Sequence, residues 1–224
     1  MIQSKPIKSM DPAAIITVED YERPRTLDQF SAWWISTYGL FGATRAGVLY
    51  VREGKGLSKK FHDEAHPMLA FMRHYYSGSD VVCKLSAGTG KADAQLLDTS
   101  GAVIRNFQIA TAVDGYTEAM RRKQLTRVGH VDALAKPDKD GVIPEELLMH
   151  NHHSLIREMA GHIAKAVEKK SAKGYDKDFA LIVGFGDGIF DAEDLPAFKA
   201  LVGHLNHSFA ELYIVGIHGR IALP

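Results

Sequence analysis

Residues 91–112 read KADAQLLDTSGAVIRNFQIATA. Two strand-like runs, 92–98 and 103–111, flank Thr99-Ser100-Gly101, where glycine supplies the φ > 0 conformations of a tight turn at little steric cost. The spacing predicts a β-hairpin. Side chains alternate along a strand, so this hairpin carries Asp93 and Gln108 toward a common site, with Ala110 on the face of Gln108. The apolar run at 81–86 predicts a third strand beside the pair, and together the three form one antiparallel set.

Before the strands, a helical period runs through Phe61, Met68, Leu69 and Met72 and predicts a helix over 58–76, bent or restarted at Pro67, which lacks an amide donor. Thr26 is placed to cap an earlier helix reaching about residue 38, with Leu27, Phe30, Trp33 and Trp34 as its apolar stripe. GVLYVREGKG reads equally as a short strand or a turn of helix. Pro6, Pro12 and Pro24 punctuate residues 1–25, which are expected to form an arm ahead of one domain over 26–224.

After the hairpin, Asp114-Gly115 opens a helix to about residue 127, and residues 129–145 read as a surface loop rich in Asp, Lys, Gly and Pro. Ile156, Met159, Ile163 and Val167 predict a long helix over 145–173 whose lysines gather toward the end, where they complement the helix dipole. FALIVGF is a continuous apolar run of the kind found in strands covered on both faces. A helix over 195–207 and a second apolar strand over 212–217 close the chain.

With 224 residues, 46% of them hydrophobic and 24% charged, the composition is that of a globular protein with a substantial core. Twenty-seven basic and twenty-seven acidic residues cancel, so any binding to nucleic acid must use a local patch. Cys83, the single cysteine, lies in the apolar run VVCKL and reads as a small buried hydrophobe. No segment reaches the roughly 18 apolar residues of a membrane span and no leader pattern opens the chain, so a cytoplasmic protein is expected.

The order helix, three strands, helix, strand over residues 58–217, with Asp93 in KADAQLL, Gln108 in FQIAT and Glu64 in HDEAH, resembles the restriction-endonuclease-like superfamily, the PD-(D/E)xK phosphodiesterases. The resemblance implies an α/β fold with a mixed central β-sheet flanked by helices and an αβββαβ core. It implies that Asp93, Gln108 and a first-helix Glu64 would hold Mg²⁺, and that a lysine would orient the attacking water. Two letters depart from the pattern: Ala110 stands where the lysine belongs, and Ala92 replaces the proline before the aspartate. Lys91, two residues before Asp93, is the expected substitute, with Lys84 a poorer one.

Several motifs fail on spacing. SAGTGKADA would need glycine at Leu85 and a hydroxyl at Ala92 to be a phosphate loop, and GFGDG would need glycine at Ile189 to be a dinucleotide fingerprint. DEAH at 63–66 has no phosphate loop to serve. His62 and His66 share a helix face at zinc-compatible spacing, but Asp63 stands where HExxH needs glutamate; His150, His152 and His153 form a second cluster without a defined third ligand.

Arg121, Arg122, Lys123 and Arg127 on one helix and Lys165, Lys169, Lys170 and Lys173 on another would contact phosphates if both helices flank one cleft. The expected function is a divergent Mg²⁺-dependent nuclease, or an inactive relative that binds DNA or RNA. The alternatives are a protein-interaction module whose apolar N-terminal segment supports a homodimer and, more distantly, a zinc hydrolase built on His62 and His66.

Overall fold

A computed structural model describes residues 10–88, 90–131, 135–143, 151–175 and 177–224. Its helices are α1 (Val18–Glu22), α2 (Leu27–Gly42), α3 (Arg45–Arg52), α4 (Leu57–Lys60), α5 (His66–Tyr75), α6 (Gly115–Val128), α7 (His152–Ser171) and α8 (Leu195–Val202). The strands are β1 (Arg25–Thr26), β2 (Val82–Leu85), β3 (Ala94–Leu97), β4 (Val103–Thr111), β5 (Phe179–Phe185), β6 (Glu211–Gly216) and β7 (Ala222–Leu223). They form one mixed sheet in sequence order. β1 to β4 are antiparallel neighbours, β4–β5 and β5–β6 pair in parallel, and β7 returns antiparallel to β6.

Every residue of β5 is buried, and its side chains alternate between two apolar layers. Ala180 and Ile182 join Phe61, Met68 and Phe71 on one face, whereas Leu181 and Val183 join Ile156, Ile163, Val167 and Phe198 of α7 and α8 on the other. Close approach of α5 is possible because residue 184 is glycine: a Cβ there would lie 2.5 Å from Pro67 Cγ. The predicted hairpin, the buried strand and the mixed sheet flanked by helices are all present.

Local chemistry fixes the helix ends. Thr26 and Gln29 form a reciprocal capping box at the start of α2. The ambiguous GVLYVREGKG segment is helical, as part of α3. Between α4 and α5 the backbone widens into a π turn over Phe61–Ala65, and the His66 amide bonds the Phe61 carbonyl. This is the form taken by the expected disturbance at Pro67, which has no amide to offer the preceding turn and sits in the first turn of α5.

Some expectations need correction. Residues 10–25 are not an arm held away from the core: Tyr21 of α1 is fully buried, and Arg25 is 4% exposed, paired with Asp20 at 2.7 Å and lying over the Trp33 ring. A long side chain with a satisfied head can be buried where local sequence shows only proline punctuation. The long helix starts at His152, capped by the Asn151 side chain; residues 145–150, including His150, lie outside the described residues. α8 stops at Val202 rather than near 207, its last turn closed by Gly203 N–H on the Lys199 carbonyl.

The GFGDG segment proves to be a tie between two turns. Asp187, fully buried, accepts hydrogen bonds from the amides of His218 (2.8 Å), Arg220 (2.7 Å) and Ile221 (3.1 Å) and so joins the end of β5 to the β6–β7 turn. Asp187→Ala strands three amides, and its unfolding free energy in urea should fall by at least about 2 kcal/mol, because an unpaired buried donor costs on the order of 1–3 kcal/mol. A loss below about 0.5 kcal/mol, the size expected of a surface substitution, would contradict this role.

Candidate functional site

β3 begins at Ala94, opposite Phe107, whereas β4 continues to Thr111 alongside β5. The flank of β4 beyond Phe107 is therefore open, and side chains from both helical layers reach it. Asp93 stands at the mouth of this gap: its amide bonds the Phe107 carbonyl, and its Oδ2 accepts the Ile109 amide at 2.9 Å. Gln108 is 2% exposed, and its Nε2 donates to the Lys91 carbonyl.

The lysine facing these two groups comes from α7. Lys170 Nζ donates to Asp93 Oδ2 at 3.0 Å and to Gln108 Oε1 at 2.8 Å. Only one orientation of the Gln108 amide suits both neighbours, since the carbonyl needs a donor and the ammonium an acceptor. Both members of the Lys170–Asp93 pair are largely buried, with side chains 17% and 18% exposed.

Glu64 approaches from the other helical layer, on the π turn. It accepts from Lys60 Nζ at 3.2 Å and from the Tyr21 hydroxyl at 3.3 Å. Burial, and next the negative charge of Asp93, push its carboxyl up to about 7. Lys60 Nζ also donates to the Ser86 carbonyl at 3.1 Å, tying the helical layer to the segment that leads into Asp93.

Glu64, Ala110 and Lys170 line a cleft of about 470 Å³, with Lys165, Lys169 and Lys173 along the same wall. A second cleft of about 660 Å³ shares Lys59, Asp63 and Lys169 with the first and adds Arg122 and Lys123 of α6. The two basic helices flank one trough.

The structure thus joins Asp93 and Gln108 through Lys170, sets Glu64 on the same cleft as Lys170 and within reach of the Asp93 charge, and places other predicted residues elsewhere. Lys91 contributes its carbonyl to Gln108 and lines a separate cavity of about 450 Å³ beside Glu22, Gln95 and Asn106. Arg121 Nε bonds the Ala135 carbonyl at 2.9 Å and Arg127 is exposed near the end of α6, whereas Arg122, paired with Glu118 at 2.9 Å, stays on the trough with Lys123. His62 and His66 are half-buried among aromatic rings, His66 4.5 Å from the Trp34 ring, and burial pushes the His66 imidazole down to about 4. Among the described residues, neither belongs to a group of three converging His, Cys, Asp or Glu side chains.

Lys60 and Tyr21 were not recognised from the sequence, and Lys170 was read only as one of four lysines that would contact phosphates. The lysine-rich end of α7 was visible as charge, but 62 residues separate Lys170 from Gln108 and no spacing links them. Compared with known proteins, the chain matches no family model, no curated protein and no solved structure.

The Glu64 carboxyl has a consequence for stability. Its pKa is about 7 in the folded chain against an ordinary 4.5, so between those values the folded protein holds a proton that the unfolded chain releases. Stability from this group is complete at low pH and is lost as pH rises through that window. Glu64→Gln removes the dependence. Between about pH 5 and about pH 8 the wild type should lose on the order of 1–3 kcal/mol relative to the variant, read from urea melts at both pH values. Parallel pH profiles would show that Glu64 titrates normally.

Proposed function

We propose that the cleft is a divergent phosphodiesterase site acting on nucleic acid, organised as in the PD-(D/E)xK superfamily but with its lysine delivered by α7. The observation that carries this reading is the Lys170 ammonium seated on both Asp93 and Gln108. An ammonium of this kind is what the strand sequence lacks at Ala110.

Glu64 and Asp93 fit a divalent cation. Their mutual repulsion helps to push Glu64 up to about 7, and a cation held by both relieves it. Mg²⁺ commonly takes one or two carboxylates and keeps several waters; both hydrogen bonds given above for Asp93 use Oδ2, so Oδ1 is the natural oxygen to offer it. Bound there, the ion would neutralise phosphate charge and lower the pKa of a water.

The chain's own residues supply the rest. Gln108 holds Lys170 and the Lys91 carbonyl in fixed relation. The Lys170 ammonium lies where it can orient a nucleophilic water and stabilise charge developing on a phosphoryl oxygen. Lys165, Lys169, Lys173, Arg122 and Lys123 engage backbone phosphates along the trough, which gives a formally neutral chain a local basic surface.

A second reading, nucleic-acid binding without cleavage, rests on the same ammonium: it neutralises Asp93 without any ion. Labelled single- and double-stranded DNA and RNA, incubated with Mg²⁺ or EDTA, separate the two. Cleavage should require Mg²⁺, vanish in Asp93→Asn, fall about 10²-fold or more in Lys170→Ala, and change little in Lys91→Ala. Binding that weakens steeply with salt, with no cleavage, would select the second reading. Neither binding nor cleavage would remove both.

A further inference from the structure

The N-terminal end of α7 meets the segment that follows β5. His152 Nε2 lies 2.8 Å from Asp194 Oδ2, and Asp194 is 8% exposed at the end of the short 3-10 turn Ala192–Asp194. Asp191, three residues earlier, is exposed, and its amide donates to Asp194 Oδ2 at 2.7 Å. One nitrogen or oxygen from each of His152, Asp191 and Asp194 lies within 4.8 Å of the others, and this is the one such trio among the described residues. We propose that His152, Asp191 and Asp194 form a Zn²⁺ site that fastens the start of α7 to the turn after β5.

The chemistry of the donors selects the ion. An imidazole nitrogen with two carboxylates suits zinc, whereas Mg²⁺ and Ca²⁺ favour oxygen throughout. Zinc sits about 2.0–2.2 Å from nitrogen and oxygen donors, which places tetrahedral neighbours roughly 3.4 Å apart. His152 and Asp194 must open slightly from 2.8 Å, and the ion takes the place of the proton they share. The widest separation in the trio, up to 4.8 Å, must close by up to about 1.4 Å to reach that spacing. Asp191 can supply that movement because it is exposed, whereas Asp194 is held by the Asp191 amide. Water fills the fourth position. The half-exposed His152 side chain leaves a route for entry.

The site is separate from the cleft. Lys170 follows His152 by 18 positions on α7, roughly 27 Å along the helix axis. The metal would anchor one end of the element whose other end holds Asp93 and Gln108, and it acts on position rather than on substrate.

Zinc binding to the chelator-treated full chain, followed by isothermal titration and thermal melting, tests this directly. One Zn²⁺ per chain should bind with a micromolar or tighter Kd and raise Tm, while Mg²⁺ at the same concentration gives no such shift. His152→Ala and Asp191→Asn should each weaken binding at least tenfold; Asp191→Asn changes an exposed side chain, so its result stands even if His152→Ala fails to fold. His153→Ala and Asp93→Asn should bind as the wild type does. No uptake at micromolar zinc, or uptake indifferent to both His152→Ala and Asp191→Asn, overturns the site. Loss in Asp93→Asn would move the zinc to the cleft and overturn it equally.

Discussion

Burial of β5 on both faces is the constraint from which the rest of the architecture follows. A strand with seven consecutive buried residues needs an apolar layer above and below it, and each layer must come from a helix whose stripe matches the pleat. α5 supplies one, pressed close enough that residue 184 has to be glycine, and α7 supplies the other. Because β4 is the parallel neighbour of β5, the same two helices also run past β4. Glu64 and Lys170 reach one cleft because both layers are fixed to one strand pair and because β3 stops short of the open flank.

Charge at that flank is balanced unevenly. Lys170 gives Asp93 a direct partner at 3.0 Å, and Lys60 gives Glu64 one at 3.2 Å, yet burial and the negative charge of Asp93 still push the Glu64 carboxyl up to about 7. Asp93 also accepts the Ile109 amide at 2.9 Å; the Glu64 carboxylate meets the Tyr21 phenol at 3.3 Å beside its lysine, and burial is the largest influence on it. A buried ion pair is weak evidence of stability, since desolvation offsets much of the attraction. Under the proposed function these charges serve chemistry rather than packing.

Much of the fold was legible in the sequence because its signals are local. The Thr99-Ser100-Gly101 turn, the period through Phe61, Met68 and Met72, and the unbroken FALIVGF run each state their own secondary structure, and their order implied a mixed sheet under helices. Residues 10–25 were misread because Tyr21 and Arg25 are buried singly, through a phenol on Glu64 and a guanidinium on Asp20, and single anchors leave no period. The site was half legible. Asp93 just precedes β3 and Gln108 lies on its neighbour β4, so a hairpin with a short turn brings them close, and Glu64 sits on the π turn that leads into α5 before them. Lys170 joins them through tertiary packing alone, and one lysine among several on a helix face carries no mark of which one turns inward.

Glutamine at 108 and alanine at 110 are coherent with Lys170 in place. An ammonium arriving from α7 needs room on the strand face, and Ala110 lines the cleft beside Lys170 with the smallest side chain that keeps the strand regular. Glutamine at 108 then does what glutamate could not. Its amide nitrogen donates to the Lys91 carbonyl while its oxygen accepts from Lys170; a carboxylate in that position would set an oxygen against the carbonyl with no proton between them. The proposed phosphodiesterase chemistry requires an ammonium at a point in space, not at a point in the sequence. A rigid helix packed across β4 can meet that requirement as well as the strand itself, provided the strand residues give up the charge and volume they would otherwise hold.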